Sequence, residues 1–362
     1  MSVLRIENLS KAFDGVGVFS ALGFAVGAGQ LAFVLGPGGC GKSTLLRIVA
    51  GALGADEGEV FVDGVAVGAV PAHRRRVAMV GQHDGLWPHL DVRGNIAFAL
   101  EQERRASRDG VRRAVHALLG GHGLDALGER KPSELAGGER QRVAFLRALA
   151  REPRVLLLDE PFALLSAGER RRHWQWVRRF CKKHSAVAVG VTQHVGDALA
   201  CADRVGVLAA GRFLQTGTPL EVYRRPCSRF VGEFLSAANV LRGKVVHTGA
   251  GEFIAETALG EVRGALADGA AGLSAGVALD VLVRPESLHL DVFAPDENAF
   301  AGEVTGVEYE GASGSVFFKT AVGGVTLRVM EGNPRTNTGG GAGGAPLFAW
   351  VAPEDVTGVV PC

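Results

Sequence analysis

Four runs of the chain are apolar at nearly every position: LAFVL (Leu31 to Leu35), VAMV (Val77 to Val80), VLLL (Val155 to Leu158) and AVAVGV (Ala186 to Val191). Strands without a polar face are buried on both sides, as in a parallel sheet covered by helices. Helix-sized segments separate them. Leu45 to Ala50 follows the first run, residues 92–130 carry a helical period rich in Arg and Glu, and Ser133 to Ala150 contains an amphipathic helix opening at Gly137–Gly138, with Val143, Leu146 and Ala150 on one face. The alternation predicts an α/β core. Before it, residues 1–30 read as short strands around Asp14–Gly15, and EVFVDGVAVGAV (59–70) reads as a hairpin turning at Asp63–Gly64.

After about Arg212 the pattern changes. TGTPLEVYRRPCSRFVGEFL holds a turn and two short helical pieces, and beyond Ala237 strand-like alternation dominates, as in VALDVLVRP (277–285) and SVFFKTAVGGVTLRVM (315–330), a hairpin around Gly323–Gly324. The GGGAGG run at 339–344 reads as a flexible loop. A second, mostly β domain of barrel type is expected. The division expected is 1–235 and 236–362, with a helical subdomain at about 86–152.

Polar residues collect where the apolar runs end. Gly36, Pro37, Gly38, Gly39, Cys40, Gly41, Lys42, Ser43 and Thr44 stand between the first run and a helix, which is the G-x-x-x-x-G-K-[ST] pattern in a strand–loop–helix setting. There, backbone N–H groups cradle phosphate oxygens, Lys42 reaches the β and γ phosphates, and Ser43 offers a hydroxyl to Mg²⁺. Asp159 and Glu160 close the VLLL run on opposite faces, so one can meet Mg²⁺ and the other water. Gln82 follows VAMV at the strand end where ligands of open α/β sheets gather. Thr192, Gln193 and His194 follow the last run. Phe13 precedes a turn and could stack on a base or serve as an edge-strand aromatic.

Composition narrows the picture without redirecting it. The chain has 362 residues and net charge +1, so nothing draws it as a whole toward nucleic acid or anionic lipid. The runs Arg74–Arg76 and Arg170–Lys183 read as solvated faces. Five scattered cysteines without paired C-x-x-C spacing point neither to a disulfide framework nor to zinc. The N-terminus lacks a secretory pattern, and no apolar run approaches the ~18 residues of a spanning helix.

GPGGCGKST, Gln82, LAGGE (135–139), VLLLDEP (155–161) and VTQHVGDALACADRVGVLAAGRFLQTGTP, taken together in this order, resemble the ATP-binding subunit of an ABC transporter over residues 3–235. NVLRG (239–243) and VLVRPESLHL (281–290) resemble the regulatory β domain of importer ATPases of the maltose, polyamine, sulfate and ferric-iron type. The resemblance implies an α/β P-loop NTPase core with antiparallel β and helical subdomains and a C-terminal OB-like all-β domain. It implies ATP and Mg²⁺ in a head-to-tail homodimer, where the phosphate loop of one subunit and Ala136, Gly137, Gly138 and Glu139 of the other enclose each nucleotide. Asp159, Ser43 and Gln82 would hold Mg²⁺, and Glu160 would polarise the attacking water. The loop from Gln82 to Leu90 would meet an integral-membrane permease subunit. There Trp87 would either pack on that partner or plug its own loop. An extracytoplasmic solute-binding protein, a peripheral position on the cytoplasmic face of the cell membrane, and ferric iron or polyamine as solute complete the expectation.

Three departures from that family's pattern bear on turnover. Ala136 and Glu139 stand where the signature has Ser and Gln, which removes a hydroxyl from the γ-phosphate. Ser166 stands where the loop after the second strand motif has Asp. Gln193 stands at the switch-histidine position, with His194 one step along. Either Gln193 serves as a neutral donor or His194 swings in.

Overall fold

In a computed structural model of the protein, the residues described are 2–101, 107–249, 251–267, 273–309, 311, 313–332 and 347–361. Their contacts divide the chain into two units, Met1–Pro219 and Leu220–Cys362. The second unit thus begins before the boundary expected at 235/236, taking in a short helix ahead of it and one that runs across it. The glycine-rich run at 339–344 lies outside the described residues.

The first unit opens with β1 (Ser2–Phe13) and β2 (Val16–Gly27), then β3 (Leu31–Leu35), α1 (Lys42–Ala50), β4 (Glu57–Val62), β5 (Val65–Ala66) and β6 (Val77–Val80). Next come α2 (Val92–Glu101), α3 (Arg108–Gly121), α4 (Gly137–Ala150), β7 (Val155–Asp159), α5 (Ala167–His184), β8 (Val187–Val191), α6 (Val195–Cys201), β9 (Arg204–Ala209) and β10 (Arg212–Gly217). Two sheets result. One is antiparallel, in the order β2-β1-β4-β5; the other has the order β10-β9-β3-β8-β7-β6. The four apolar runs are its adjacent parallel strands β3, β8, β7 and β6, and every residue of β3, β7 and β8 is buried.

Alternation within β3 explains its lack of a polar face. Ala32 and Val34 join one cluster with Leu45, Leu46, Ile48 and Val49 of α1 and with Leu4, Ile6 and Val60 of the antiparallel sheet. Phe33, pointing the other way, packs edge-on against Trp174 of α5, with ring centroids 4.5 Å apart. The sheet is therefore covered on both faces, and α1 is held between two sheets.

The Asp63–Gly64 turn forms as expected, with φ +50° and +80°, the left-handed pair of a two-residue hairpin. The Arg74–Arg76 run departs from the expected solvated face at Arg75, while Arg74 and Arg76 are exposed. Arg75 is buried, and its guanidinium donates to the carbonyls of Ile48 (2.9 Å), Val49 (3.2 Å), Val70 (2.7 Å) and Gly68 (2.9 Å). It satisfies last-turn carbonyls of α1 that have no intrahelical donor.

The second unit holds α7 (Pro219–Arg224, beginning at the boundary), α8 (Arg229–Ser236), β11 (Asn239–Gly249), β12 (Glu252–Thr257), β13 (Gly260–Leu266), β14 (Ala278–Val283), β15 (His289–Asp291), β16 (Ala299–Tyr309), β17 (Ser313–Thr320), β18 (Thr326–Gly332), β19 (Leu347–Trp350) and β20 (Val356–Val359). Strands β11-β12-β13-β20-β14 close an OB-like barrel, and β15-β19-β16-β17-β18 form a five-stranded sheet. Phe253, Val281 and Val356 of the barrel share one core with Phe300, Phe318 and Val329 of that sheet. No helix among the described residues is long and apolar enough to cross a membrane.

Candidate nucleotide site

Register aligns the strand ends that carry the polar residues. Val34 of β3 lies opposite Val191 of β8, Val191 opposite Asp159 of β7, and Leu158 opposite Val80 of β6. The phosphate loop, Thr192–Gln193, Asp159–Glu160 and Gln82 therefore emerge at one edge of the sheet.

The loop is shaped by glycine where no side chain fits. Gly41 caps α1 at φ +99°, and a Cβ there would lie 2.6 Å from Cγ1 of Val18. A Cβ on Gly36 would meet the carbonyl oxygen of Leu208 at 2.1 Å. No side chain caps α1 and no acid occupies its first turn, so its leading N–H groups are open to an anion. Lys42 Nζ curls over the loop, donating to the carbonyls of Gly36 (2.9 Å) and Pro37 (2.7 Å), 3.7 Å from Cys40 Sγ. Phe13 ends β1 with 45% of its surface exposed, and the Lys11 ammonium lies 5.3 Å from its ring centroid.

The two adjacent carboxylates have different surroundings. Asp159 is buried, and its Oδ1 has no hydrogen-bond partner. Burial pushes its carboxyl pKa up; the Ser43 hydroxyl bond opposes this, the Glu160 charge adds to it, and Arg47 and Lys42 oppose it more weakly. An orphaned buried carboxylate oxygen beside a hydroxyl is the donor set a hard divalent cation takes, so Asp159 and Ser43 fit Mg²⁺. Glu160 is half-buried, at φ +49°. Its Oε1 accepts from Gln193 Nε2 at 2.9 Å. Of the two residues that could replace the switch histidine, Gln193 is the one this structure joins to Glu160. His194 is exposed, and its backbone N–H donates to Thr192 Oγ1. Gln82 is exposed just beyond β6.

Ala136 to Glu139 form the N-terminus of α4. Glu139 accepts from the Ala136 N–H at 2.8 Å, but the methyl of Ala136 returns no bond, so the cap is one-sided. Gly137 and Gly138 lie beneath the loop after β7, where added Cβ atoms would meet Leu164 Cδ1 at 2.7 Å and Leu165 Cδ2 at 2.8 Å. Ser166, in that loop, donates its hydroxyl to Glu169 at 2.6 Å and its N–H at 3.1 Å. Its side chain is engaged in starting α5. Arg170 then donates to Leu165 O (2.9 Å) and to the buried Asp197 of α6 (2.6 Å), joining that loop to the helix after Gln193.

A groove of about 530 Å³ opens beside the Gln82–Leu90 loop, lined by Met79, His83, Trp87, Phe98 and Arg147 among others. Trp87 has both properties considered for it. Asn95 fixes its backbone, accepting from the Trp87 N–H (2.8 Å) and donating to its carbonyl (3.1 Å), while its ring stays 42% exposed, edge-on to Phe98. Sequence reasoning missed Arg140 and Arg147, which hold this loop. Their partners lie far away in sequence, and only an arginine period along α4 hinted at them.

Among the described residues no group of His, Cys, Asp and Glu forms a metal cluster. Burial pushes the Cys181 thiol up to about 12, as suits an inert core residue.

Comparison with known proteins agrees with this geometry. The family model described as ABC transporter matches residues 19–163, and that described as TOBE domain matches 281–358. The sulfate/thiosulfate import ATP-binding protein CysA of Burkholderia mallei is 45% identical over 249 residues, 68% of this chain and 71% of that protein. Its namesake in Xylella fastidiosa is 41% identical over 291 residues, 80% of this chain and 81% of that protein. A protein of the same description from Cucumis sativus is 44% identical over 243 residues, covering 66% and 69%. The expectation of ferric iron or polyamine finds no support here, since these relatives are named for sulfate and thiosulfate; overall texture carries no information about a solute that this subunit need not touch.

Proposed function

Since the chain belongs to the ATP-binding subunits of ABC importers and carries their C-terminal regulatory domain, we propose that it powers uptake of sulfate or thiosulfate by hydrolysing ATP in a head-to-tail homodimer. Being an ATPase of an importer implies a dimer and membrane permease partners; the oxyanion is taken from the names of its relatives. The observation that carries the catalytic reading is Asp159 and Glu160 at one strand end, one buried with an orphaned oxygen beside Ser43, the other held by Gln193.

In this reading, the α1 N-terminus and the loop N–H groups bind the β and γ phosphates, and Lys42 exchanges its loop carbonyls for phosphate oxygens. Asp159 and Ser43, with Gln82, would hold Mg²⁺, which would neutralise charge on the phosphate oxygens. Glu160 accepts a hydrogen bond from the attacking water, and Gln193 fixes the carboxylate that does so. The partner's Gly137 and Gly138 N–H groups face the γ-phosphate without the hydroxyl that Ala136 lacks. Phe13 stacks on the base. The groove with Trp87 and Phe98 receives the permease on the cytoplasmic face of the membrane, and an extracytoplasmic binding protein delivers the solute.

Labelled sulfate uptake into vesicles holding the chain with its permease, with the solute-binding protein supplied outside, tests this. Wild type is expected to take up sulfate with ATP inside. Glu160→Gln is expected to bind ATP normally while hydrolysis and uptake fall at least ~100-fold, the scale of a lost general base. ATP-driven uptake of Fe³⁺ or spermidine instead of sulfate would reject the oxyanion, and unimpaired hydrolysis by Glu160→Gln would reject the catalytic assignment.

A further inference from the structure

Two arginines on one face of α4 hold the loop that follows Gln82. Arg140 Nε donates to Asp84 Oδ2 at 3.0 Å, and its Nη1 donates to Leu135 O at 2.8 Å. Arg147, two turns on, donates to Gly85 O at 2.7 Å and to Asp84 O at 3.3 Å. The other oxygen of Asp84 accepts from the Leu86 N–H at 3.2 Å, so the carboxylate is fixed within its own loop.

The two ties differ in kind. Arg147 grips backbone carbonyls, and partial burial depresses its pKa. Arg140 and Asp84 keep 37% and 30% of their side-chain surface exposed. Theirs is the tie between two charged side chains, for which an incoming anion can compete.

Its position is informative. Arg140 lies in the first turn of α4, with its guanidinium folded back to Leu135 beside Ala136–Glu139. A cation at a helix N-terminus is unfavourable unless counter-charge offsets it, and Asp84 supplies that charge from the neighbouring loop. A phosphate arriving at this N-terminus would compete with Asp84 for the same guanidinium, as a bidentate acceptor of matching geometry.

We propose that Arg140 is a positioning residue that ties the Ala136–Glu139 turn to the Gln82–Leu90 loop through Asp84, so that a nucleotide phosphate at that turn alters the loop facing the permease. The inference rests on the paired-site reading under Proposed function. Arrival of the γ-phosphate divides the guanidinium between two anions and loosens its hold on Asp84, while Arg147 keeps the loop attached. Neither residue belongs to Ala136–Glu139 or to the phosphate loop.

Amide hydrogen exchange of the full chain tests it, in a Glu160→Gln background that retains ATP. Mg·ATP is expected to change exchange across 83–90 in that parent. The change is expected to vanish with Arg140→Gln or Asp84→Asn and to return largely with Arg140→Lys, which keeps the charge. ATP affinity is expected to stay within about twofold in Asp84→Asn, and Asp84→Asn/Arg140→Gln to lose the loop response as either single variant does, as for two residues acting through one contact. The proposal is overturned if 83–90 respond to ATP equally in Arg140→Gln, or if they do not respond in a parent that binds ATP and pairs by light scattering. A parent that neither binds ATP nor pairs overturns the paired-site reading together with this one.

Discussion

Gln193 is a neutral donor in direct contact with the carboxylate that faces water, Nε2 to Glu160 Oε1 at 2.9 Å. A hydrogen bond to a charged group contributes about 1.5–3 kcal/mol. Gln193→Ala is therefore expected to lower kcat for ATP by about 10- to 100-fold and to leave KM within about twofold, because the contact orients a reacting group and does not hold the nucleotide. Steady-state ATPase measurements check this, and a rise in KM equal to the fall in kcat would contradict it. How much of the site could be read beforehand follows from the same residues. Lys42, Ser43, Asp159 and Glu160 stand in contiguous motifs whose strand and helix setting is visible locally. The choice between Gln193 and His194 was not visible, because it depends on how the chain leaves β8 and enters α6, where His194 sits at the helix start with φ −89° and ψ 86°. Ser-Ala-Gly-Glu at 166–169 spells a capping box, and the structure uses it as one, which engages the Ser166 hydroxyl within its own chain.

At the scale of elements, the end of α3 meets α5 through rings packed edge-on. His122 lies edge-on to Trp176, with centroids 3.9 Å apart, and Trp176 lies 5.1 Å from His173, which in turn packs against Phe162 in the loop after β7. Arg142 of α4 donates to His122 O at 2.7 Å. Burial lowers the pKa of both imidazoles below the ordinary 6.5, and backbone carbonyls at Leu118 and Glu169 oppose it only in part. A histidine depressed in the folded state binds its proton more readily when unfolded, so stability is complete above pH 6.5 and falls as pH drops through that value toward the folded pKa. Urea midpoints are therefore expected to fall between pH 7.5 and pH 5.5, and His122→Gln/His173→Gln to flatten that slope whatever its offset at neutral pH. An unchanged slope would remove these two residues as its cause. The packing was not legible, since a helix period says which face is buried but not which rings meet across it. The barrel shows the same boundary. The alternating strands are evident in sequence, but β20 lies parallel to β13 and antiparallel to β14, a closure made by residues about 75 to 90 positions away from their partners and carried by no local pattern.

At the scale of the molecule, each ATP site of the proposed pair takes Gly36–Thr44 from one chain and Ala136–Glu139 from the other. A net charge of +1 gives neither strong self-repulsion nor attraction, so in this arrangement the nucleotide's phosphates, bound by the N-termini of α1 and of the partner's α4, supply the electrostatic join. Two defective variants should then repair each other. Lys42→Ala loses its phosphate loop but keeps its Ala136–Glu139 turn. Gly138→Asp keeps its phosphate loop but sets a carboxylate, already crowded by Leu165 Cδ2, where the γ-phosphate must come. Alone, either variant forms pairs with two dead sites. In a mixed pair, the sound loop of the second faces the sound turn of the first, giving one complete site and one doubly defective site. Random mixing makes half the pairs mixed, so ATPase activity is expected to recover to about a quarter of wild type when the sites work independently. Activity measured after mixing and re-equilibrating the two purified variants decides it. A mixture no more active than its components would mean that each chain completes its own site, and the head-to-tail pair would have to be abandoned even though the phosphate loop itself binds ATP.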